Sequence, residues 1–275
     1  MPEKFAEVLG SKIHYIEEGE GDPILLLHGM PGTSFVWRKM IPRLAPLGRC
    51  IAPDYIGMGK SDQPDISYTI DEHLKYLEKF IETLNLRKLT IVMHGWGSIL
   101  GLHYALNHEE NCKGLVFYEG FLQPQTGEML SLPFQDQLAL EGDTPPFDLL
   151  LTQSMLLKLS PEETKQYRQS FMQPMGLRVL KQYWQELPRG DGKSKVDKMI
   201  EAYSKKLTQS SLPKLLLYSL PGFINTMATI SWAKDHLSNL EIGEVGEELH
   251  FAQEAEPELM SDLISAWLQA VEQNA

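Results

Sequence analysis

Three short stretches of the chain carry residue types at spacings that chemistry would need. Residues 89–101 read LTIVMHGWGSILG, an apolar run followed by a turn of small residues and a helical start. A strand passing through a sharp turn into a helix is the setting of a nucleophile elbow, where Ser, Asp or Cys stands on the turn among small residues because the backbone crowds there. Gly97 is the small residue two places after position 95, but position 95 is itself glycine. The nearby Ser98 has Trp96 two before it and Leu100 two after it, where crowding demands small residues, and it falls inside the helix. It reads as a first-turn helix residue. The second stretch, residues 27–32 (LHGMPG), follows an apolar run. The backbone N–H of Met30 and that of Trp96 would form an oxyanion hole. The third stretch, residues 248–251 (ELHF), places His250 just before the last helix as a candidate base.

A base of this kind needs a carboxylate to orient it, and elimination locates one. The apolar run 214–218 leads into 219–225 (SLPGFIN) with no carboxylate before Asp235, which is too far along. The run before it ends in Tyr118-Glu119-Gly120, so Glu119 is the candidate orienter of His250. Strand C-terminal ends are where open α/β sheets place their sites. A histidine positioned by a carboxylate suits proton transfer near neutral pH. The order elbow, acid, histidine is that of α/β-hydrolases. His28 and His94 read as turn-stabilising residues, and Asp54 and Asp62 as organisers of the loop PDYIGMGKSD.

These residues need elements to hold them. Runs 23–27, 50–52, 89–93, 114–118 and 214–218 read as buried strands. A helix is expected from Ile70 to about Leu84, with apolar residues on one face and a Thr69/Glu72 capping box. Another begins near Pro257 and runs toward Glu272. This alternation predicts an α/β fold, with a mostly parallel sheet of about eight strands covered on both faces. Residues 123–212 break the rhythm. They show helical patches at 161–163 and 196–207, jointed by 142–146 (GDTPP) and 190–192 (GDG). The expectation is a core of 1–122 and 213–275 with a helical cap of 123–212 inserted between two strands.

Bulk properties narrow the partners. A chain of 275 residues with 43% hydrophobic content can bury one large core. Its net charge of −12 repels phosphate backbones, so no nucleic-acid partner is expected. No apolar run approaches the roughly 18 residues that span a bilayer, and the acidic N-terminus shows no signal peptide. A cytoplasmic protein with no membrane partner is expected. Two cysteines, Cys50 and Cys112, make neither a disulfide framework nor a zinc spacing, so no metal or other cofactor is expected. Monomer and homo-oligomer both stay open.

The segments PDYIGMGKSDQPD, HGWGSILGLHYA, FYEGFLQP, YRQSFMQP, LPKLLLYSLPG and LHFAQE resemble the haloalkane dehalogenase family in the right order over nearly the whole chain. The resemblance implies an α/β-hydrolase fold. It also implies an Asp nucleophile at the elbow, the following Trp and often an Asn of the HG loop as halide donors, and a His–acid pair that activates water. Trp96, Glu119 and His250 match that pattern. Gly95 stands for the Asp and Met30 for the Asn. Glycine has no side chain to attack with, so covalent catalysis is lost.

Several functions remain compatible. His250 and Glu119 could run acid–base chemistry without a covalent intermediate: cyclisation, isomerisation, elimination, cofactor-free oxygenation or direct attack by water. Losing two polar groups suits a larger or more apolar small molecule than a haloalkane, such as a natural-product intermediate. The alternatives are a ligand-binding protein that keeps the pocket, and an inactivated dehalogenase. In those cases Gly95 simply relieves elbow strain and Trp96 simply packs.

Overall fold

Successive residues of the central strands point to opposite faces, and each face meets its own apolar layer. The computed structural model describes residues 3–124, 147–171, 174–188 and 190–273. The strands are β1 (Glu3–Val8), β2 (Ser11–Glu18), β3 (Pro23–Leu27), β4 (Arg49–Pro53), β5 (Leu89–His94), β6 (Cys112–Tyr118), β7 (Lys214–Pro221) and β8 (Leu240–Glu248). They form one sheet in the order β1-β2-β4-β3-β5-β6-β7-β8. β2 runs antiparallel to both β1 and β4, and all other pairings are parallel. Leu25, Leu27, Ile91, Met93, Leu115 and Phe117 enter one core, while Ile24, Leu26, Val92, Val116 and Tyr118 enter the other. This two-sided burial is why these strands read as continuous apolar runs.

α2 (Ile70–Thr83) and α3 (Gly97–Ala105) close the first face together with later helices, while α1 (Ile41–Leu44) packs on the second. The Thr69/Glu72 capping box is formed in both directions, and α2 buries Ile70, Leu74, Leu77 and Ile81. Between β6 and β7 the described residues carry α4 (Phe147–Gln153), α5 (Pro161–Gln169), α6 (Pro174–Glu186) and α7 (Lys195–Gln209), and no strand. The expected joint at 142–146 lies outside the described residues. α7 lies along α3 and sinks Val196, Ile200, Tyr203 and Leu207 into the sheet's first core. α8 (Met227–His236) joins that core, while α9 (Ala252–Ala255) and α10 (Pro257–Gln273) cover the other.

The three strands without a clear sequence signal have a common cause. β1 and β8 are the sheet edges, and their side chains alternate between solvent and core. Their Glu and Lys residues blunt an exposed edge and break the apolar run. β2 carries charged residues at both ends.

Candidate active site

The elbow forms where β5 stops at His94 and α3 starts at Gly97, leaving Gly95 and Trp96 to make the turn. Gly95 adopts φ +51°, in the left-handed region that glycine enters without penalty. Gly97 allows the close approach expected of it, because a Cβ there would stand 2.5 Å from the Leu27 carbonyl oxygen. The HG loop abuts the elbow: a Cβ on Gly29 would lie 3.0 Å from the His94 oxygen and 3.3 Å from Gly95 Cα. Met30 and Trp96 follow these two touching glycines. Among the described residues neither of their N–H groups donates a hydrogen bond, which leaves both available as the expected oxyanion donors.

His250 and Glu119 are brought together, 131 residues apart in sequence, with Nδ1 and Oε2 at 3.3 Å. Glu119 is fully buried at the end of β6 with φ +49°. The loop after β7, which carries no carboxylate of its own, supplies three donors to it. Phe223 N–H and Ile224 N–H reach Oε2 at 3.0 and 2.6 Å, and Asn225 N–H reaches Oε1 at 3.1 Å. Burial lifts the Glu119 carboxyl to about 7 despite these donors, which favour its charged form. Burial also holds the His250 imidazole down, at about 3, so the ring is neutral and able to accept a proton. With its own proton on Nδ1, facing Glu119, the ring presents the Nε2 lone pair to the elbow. A Cβ on Gly95 would stand 3.0 Å from that Nε2.

The loop bearing His250 is held at both of its polar backbone atoms. His250 N–H donates to the Ser154 carbonyl at 2.9 Å, and His94 Nε2 meets the His250 oxygen at 2.7 Å. The buried Glu248 accepts from the N–H groups of Leu156 and Leu249 at 2.6 and 2.8 Å. His94 therefore has the turn-holding role expected of it. His28 bonds the Gly29 oxygen and stacks on Tyr55. Asp54 accepts from His14, Ser34 N–H and Lys60 N–H, and Asp62 from Lys12 N–H, so both organise loops. Ser98 Oγ donates to the Gly95 oxygen at 2.7 Å and accepts from Phe121 N–H at 2.8 Å. It is buried and fully engaged within the turn.

Trp96 packs its ring on Tyr183 of α6, centroid to centroid 4.6 Å, and on Phe121 at 6.5 Å. Met30 is half-buried against both cores. Tyr183 had no signal in the sequence, where it is one apolar-face residue of an amphipathic helix. Ser154 and the donor loop 223–225 were equally hidden, because backbone groups leave no mark on residue type. Among the described residues no group of three His, Cys, Asp or Glu is placed to hold a metal ion, and no helix is long and apolar enough to cross a membrane.

Known proteins share this architecture. The family model described as "alpha/beta hydrolase fold" matches residues 22–241. A haloalkane dehalogenase of Agrobacterium fabrum is 32% identical, with 96% of this chain and 91% of that protein covered. One from Sphingobium indicum is 34% identical over 96% of this chain and 94% of its own. The crystal structure of the haloalkane dehalogenase DatA from Agrobacterium tumefaciens superposes with a TM-score of 0.90 at 32% identity, covering 98% of this chain and 97% of that one. Relatives 32–34% identical are thus matched nearly end to end, and the chain belongs to the haloalkane dehalogenase family of the α/β-hydrolase fold.

Proposed function

We propose that this chain is an enzyme of the family in which Gly95 stands at the nucleophile position, and that His250 and Glu119 carry non-covalent acid–base chemistry on a small, mainly apolar molecule. The observation that carries this reading is the 3.0 Å between His250 Nε2 and a Cβ on Gly95. The base faces the position where family members carry their nucleophile, and here that position has no side chain. A water or a substrate group placed there would meet the Nε2 lone pair. His250 would take its proton, and Glu119 would hold the imidazolium that forms. The Met30 and Trp96 N–H groups would stabilise charge developing on a substrate oxygen. In this reading residues 123–212 form the cap, with its last helix rooted on α3.

The test is a substrate panel of ketones, esters and epoxides followed by mass spectrometry of both small molecules and protein. Turnover that disappears in His250→Ala, with no covalent adduct on the wild-type protein, is the expected result. Turnover that survives His250→Ala, or an adduct on the wild type, would overturn it. Saturable binding with no turnover would assign the chain to ligand binding instead.

A further inference from the structure

The link between α4 and α5 grips the loop that carries His250 on either side of Leu249. His250 N–H donates to the Ser154 oxygen at 2.9 Å, and Leu156 N–H donates to Glu248 Oε1 at 2.6 Å. Residues 154 and 156 thus face 250 and 248 in reverse order, which is the register of an antiparallel strand pair. A regular pair would use the backbone oxygen of residue 248. That oxygen is already engaged, because it accepts Gly222 N–H at 3.2 Å. The Glu248 side chain turns back along its own main chain and supplies the acceptor instead, and the same Oε1 takes Leu249 N–H at 2.8 Å.

Side-chain packing does not explain this hold. Met155 is buried in the second core, but Leu156 is 58% exposed and Leu157 is exposed after it. The link leaves the core at residue 156, and Glu248 catches it there by its main chain. Glu248 is itself 1% exposed. A buried carboxylate needs donors, and those it has among the described residues are the two N–H groups of Leu156 and Leu249. Glu248 therefore joins three pieces of the site. Its main-chain oxygen holds the loop 219–225, whose N–H groups bind Glu119. Its side chain holds the α4–α5 link. His250 stands two residues further on.

We propose that Glu248 is a positioning residue, which docks the α4–α5 link on the base loop by acting in place of a backbone acceptor and so keeps His250 secluded against Glu119. The proposal rests on the acid–base reading only in calling His250 a base. Glu248 touches no reacting group. The ties of Glu254 to Tyr167 and Arg38 hold α5 without it, so losing Glu248 opens the link and not the whole segment.

The experiment reads seclusion and needs no turnover. Diethyl pyrocarbonate acylates neutral imidazoles, and peptide mass spectrometry gives the rate at each histidine. His250, His28 and His73 are all buried and held down, at about 3, about 4 and about 3. At a pH of about 6.5 all three are neutral, and their rates report access. In Glu248→Ala the His250 rate should rise about fivefold or more, as lost hydrogen bonds favour a local opening, while His28 and His73 keep their parental rates. Glu248→Gln retains an acceptor oxygen of the same reach and should restore the parental rate at His250. Leu156→Pro removes the donor from the exposed side and should act as Glu248→Ala does. Should Glu248→Ala raise all three rates together, Leu156→Pro decides. The proposal is overturned if His250 keeps its parental rate in either variant, if Leu156→Pro raises all three rates together, or if Glu248→Gln leaves His250 as reactive as Glu248→Ala does. Selective exposure of His250 in a protein that turns nothing over would keep the docking role and sink the acid–base reading. His250-dependent turnover with unaltered labelling would do the reverse.

Discussion

The Glu119 carboxyl meets His250 Nδ1 at 3.3 Å with both side chains sealed from water. That relationship fixes where the pair keeps its proton. Unfolded, near pH 5.5, the histidine is charged and the glutamate ionised. Folded, burial lowers His250 from 6.5 to about 3 and raises Glu119 from 4.5 to about 7, so each shift favours the neutral form. Each state holds one proton, so between about pH 4.5 and 6.5 the pair adds no slope to stability.

Removing one partner should expose the other's slope. His250, with a lowered pKa, contributes stability that is present above 6.5 and lost as pH falls toward 3. Glu119, with a raised pKa, contributes stability that is present below 4.5 and lost as pH rises through about 7. Glu119→Gln should therefore lose stability on acidification from pH 6.5, by up to about 1.4 kcal/mol per pH unit. His250→Phe should lose it as pH rises from 4.5 to 7. Urea unfolding across this window checks both. A parallel, pH-independent offset in the two variants would show that the folded pair keeps its proton elsewhere.

The turn at Gly95, its contact with the loop 27–32 and the meeting of His250 with Glu119 were legible because each is a residue type at a telling place in a strand–turn–helix order. Glu119 was reached by what the loop after β7 lacks. What that loop does could not be read: residues 223–225 bind Glu119 through backbone N–H groups, which any residue but proline could supply. The edge strands β1 and β8 were hidden by their own charges. Tyr183 was hidden because an aromatic on an amphipathic helix ordinarily signals core, and only its contact with the Trp96 ring ties it to the elbow.

Ser98 separates a structural hydroxyl from a displaced nucleophile. Its Oγ bridges the Gly95 oxygen and the Phe121 N–H. Ser98→Ala should cost about 1–3 kcal/mol, since the buried Phe121 N–H loses its partner while the Gly95 oxygen keeps the Ser98 N–H. Any His250-dependent turnover should persist in the folded variant. Turnover abolished in a variant of unchanged stability would make Ser98 part of the chemistry.

Glu254 braces the segment that follows His250. Its side chain is fully buried and pairs with Arg38, with Lys39 at 2.9 Å and with the Tyr167 hydroxyl of α5 at 2.6 Å. Arg38 also reaches Glu163 at 2.6 Å, but that carboxylate is 28% exposed. Glu254→Gln removes the buried carboxylate and leaves Arg38 and Lys39 with only the partly exposed Glu163, and should cost about 3 kcal/mol. Glu163→Gln, nearer water, should cost less than about 1 kcal/mol from the ion pair itself, and any further loss would come from its Ser160 capping box. Denaturant midpoints order the two, and the opposite order would place the brace at Glu163.

The proposal that Gly95 stands at the nucleophile position has a direct test. The parent should release no halide from 1-bromobutane or 1,2-dibromoethane, because Gly95 offers no carboxylate and a water at His250 lacks a positioned attacking group. Gly95→Asp with Met30→Asn would supply the nucleophile and second halide donor that the family resemblance implies, beside Trp96, Glu119 and His250. The double variant should gain halide release. It should also be less stable by about 1–3 kcal/mol, because a non-glycine must hold a φ near +51°. The new Cβ would stand 3.0 Å from His250 Nε2, so the imidazole must yield by a few tenths of an ångström. Adding His250→Ala relieves that contact and removes the base for ester hydrolysis, so the alkyl-enzyme should accumulate on the peptide carrying residue 95. Mass spectrometry after exposure to 1-bromobutane reads it directly. An adduct would mean that a haloalkane still reaches the elbow and that the side chains at 30 and 95 are what keep the parent from using it. A folded triple variant without adduct would mean that the space in front of Trp96 no longer accepts an alkyl halide, and the site would then be shaped for a different molecule altogether.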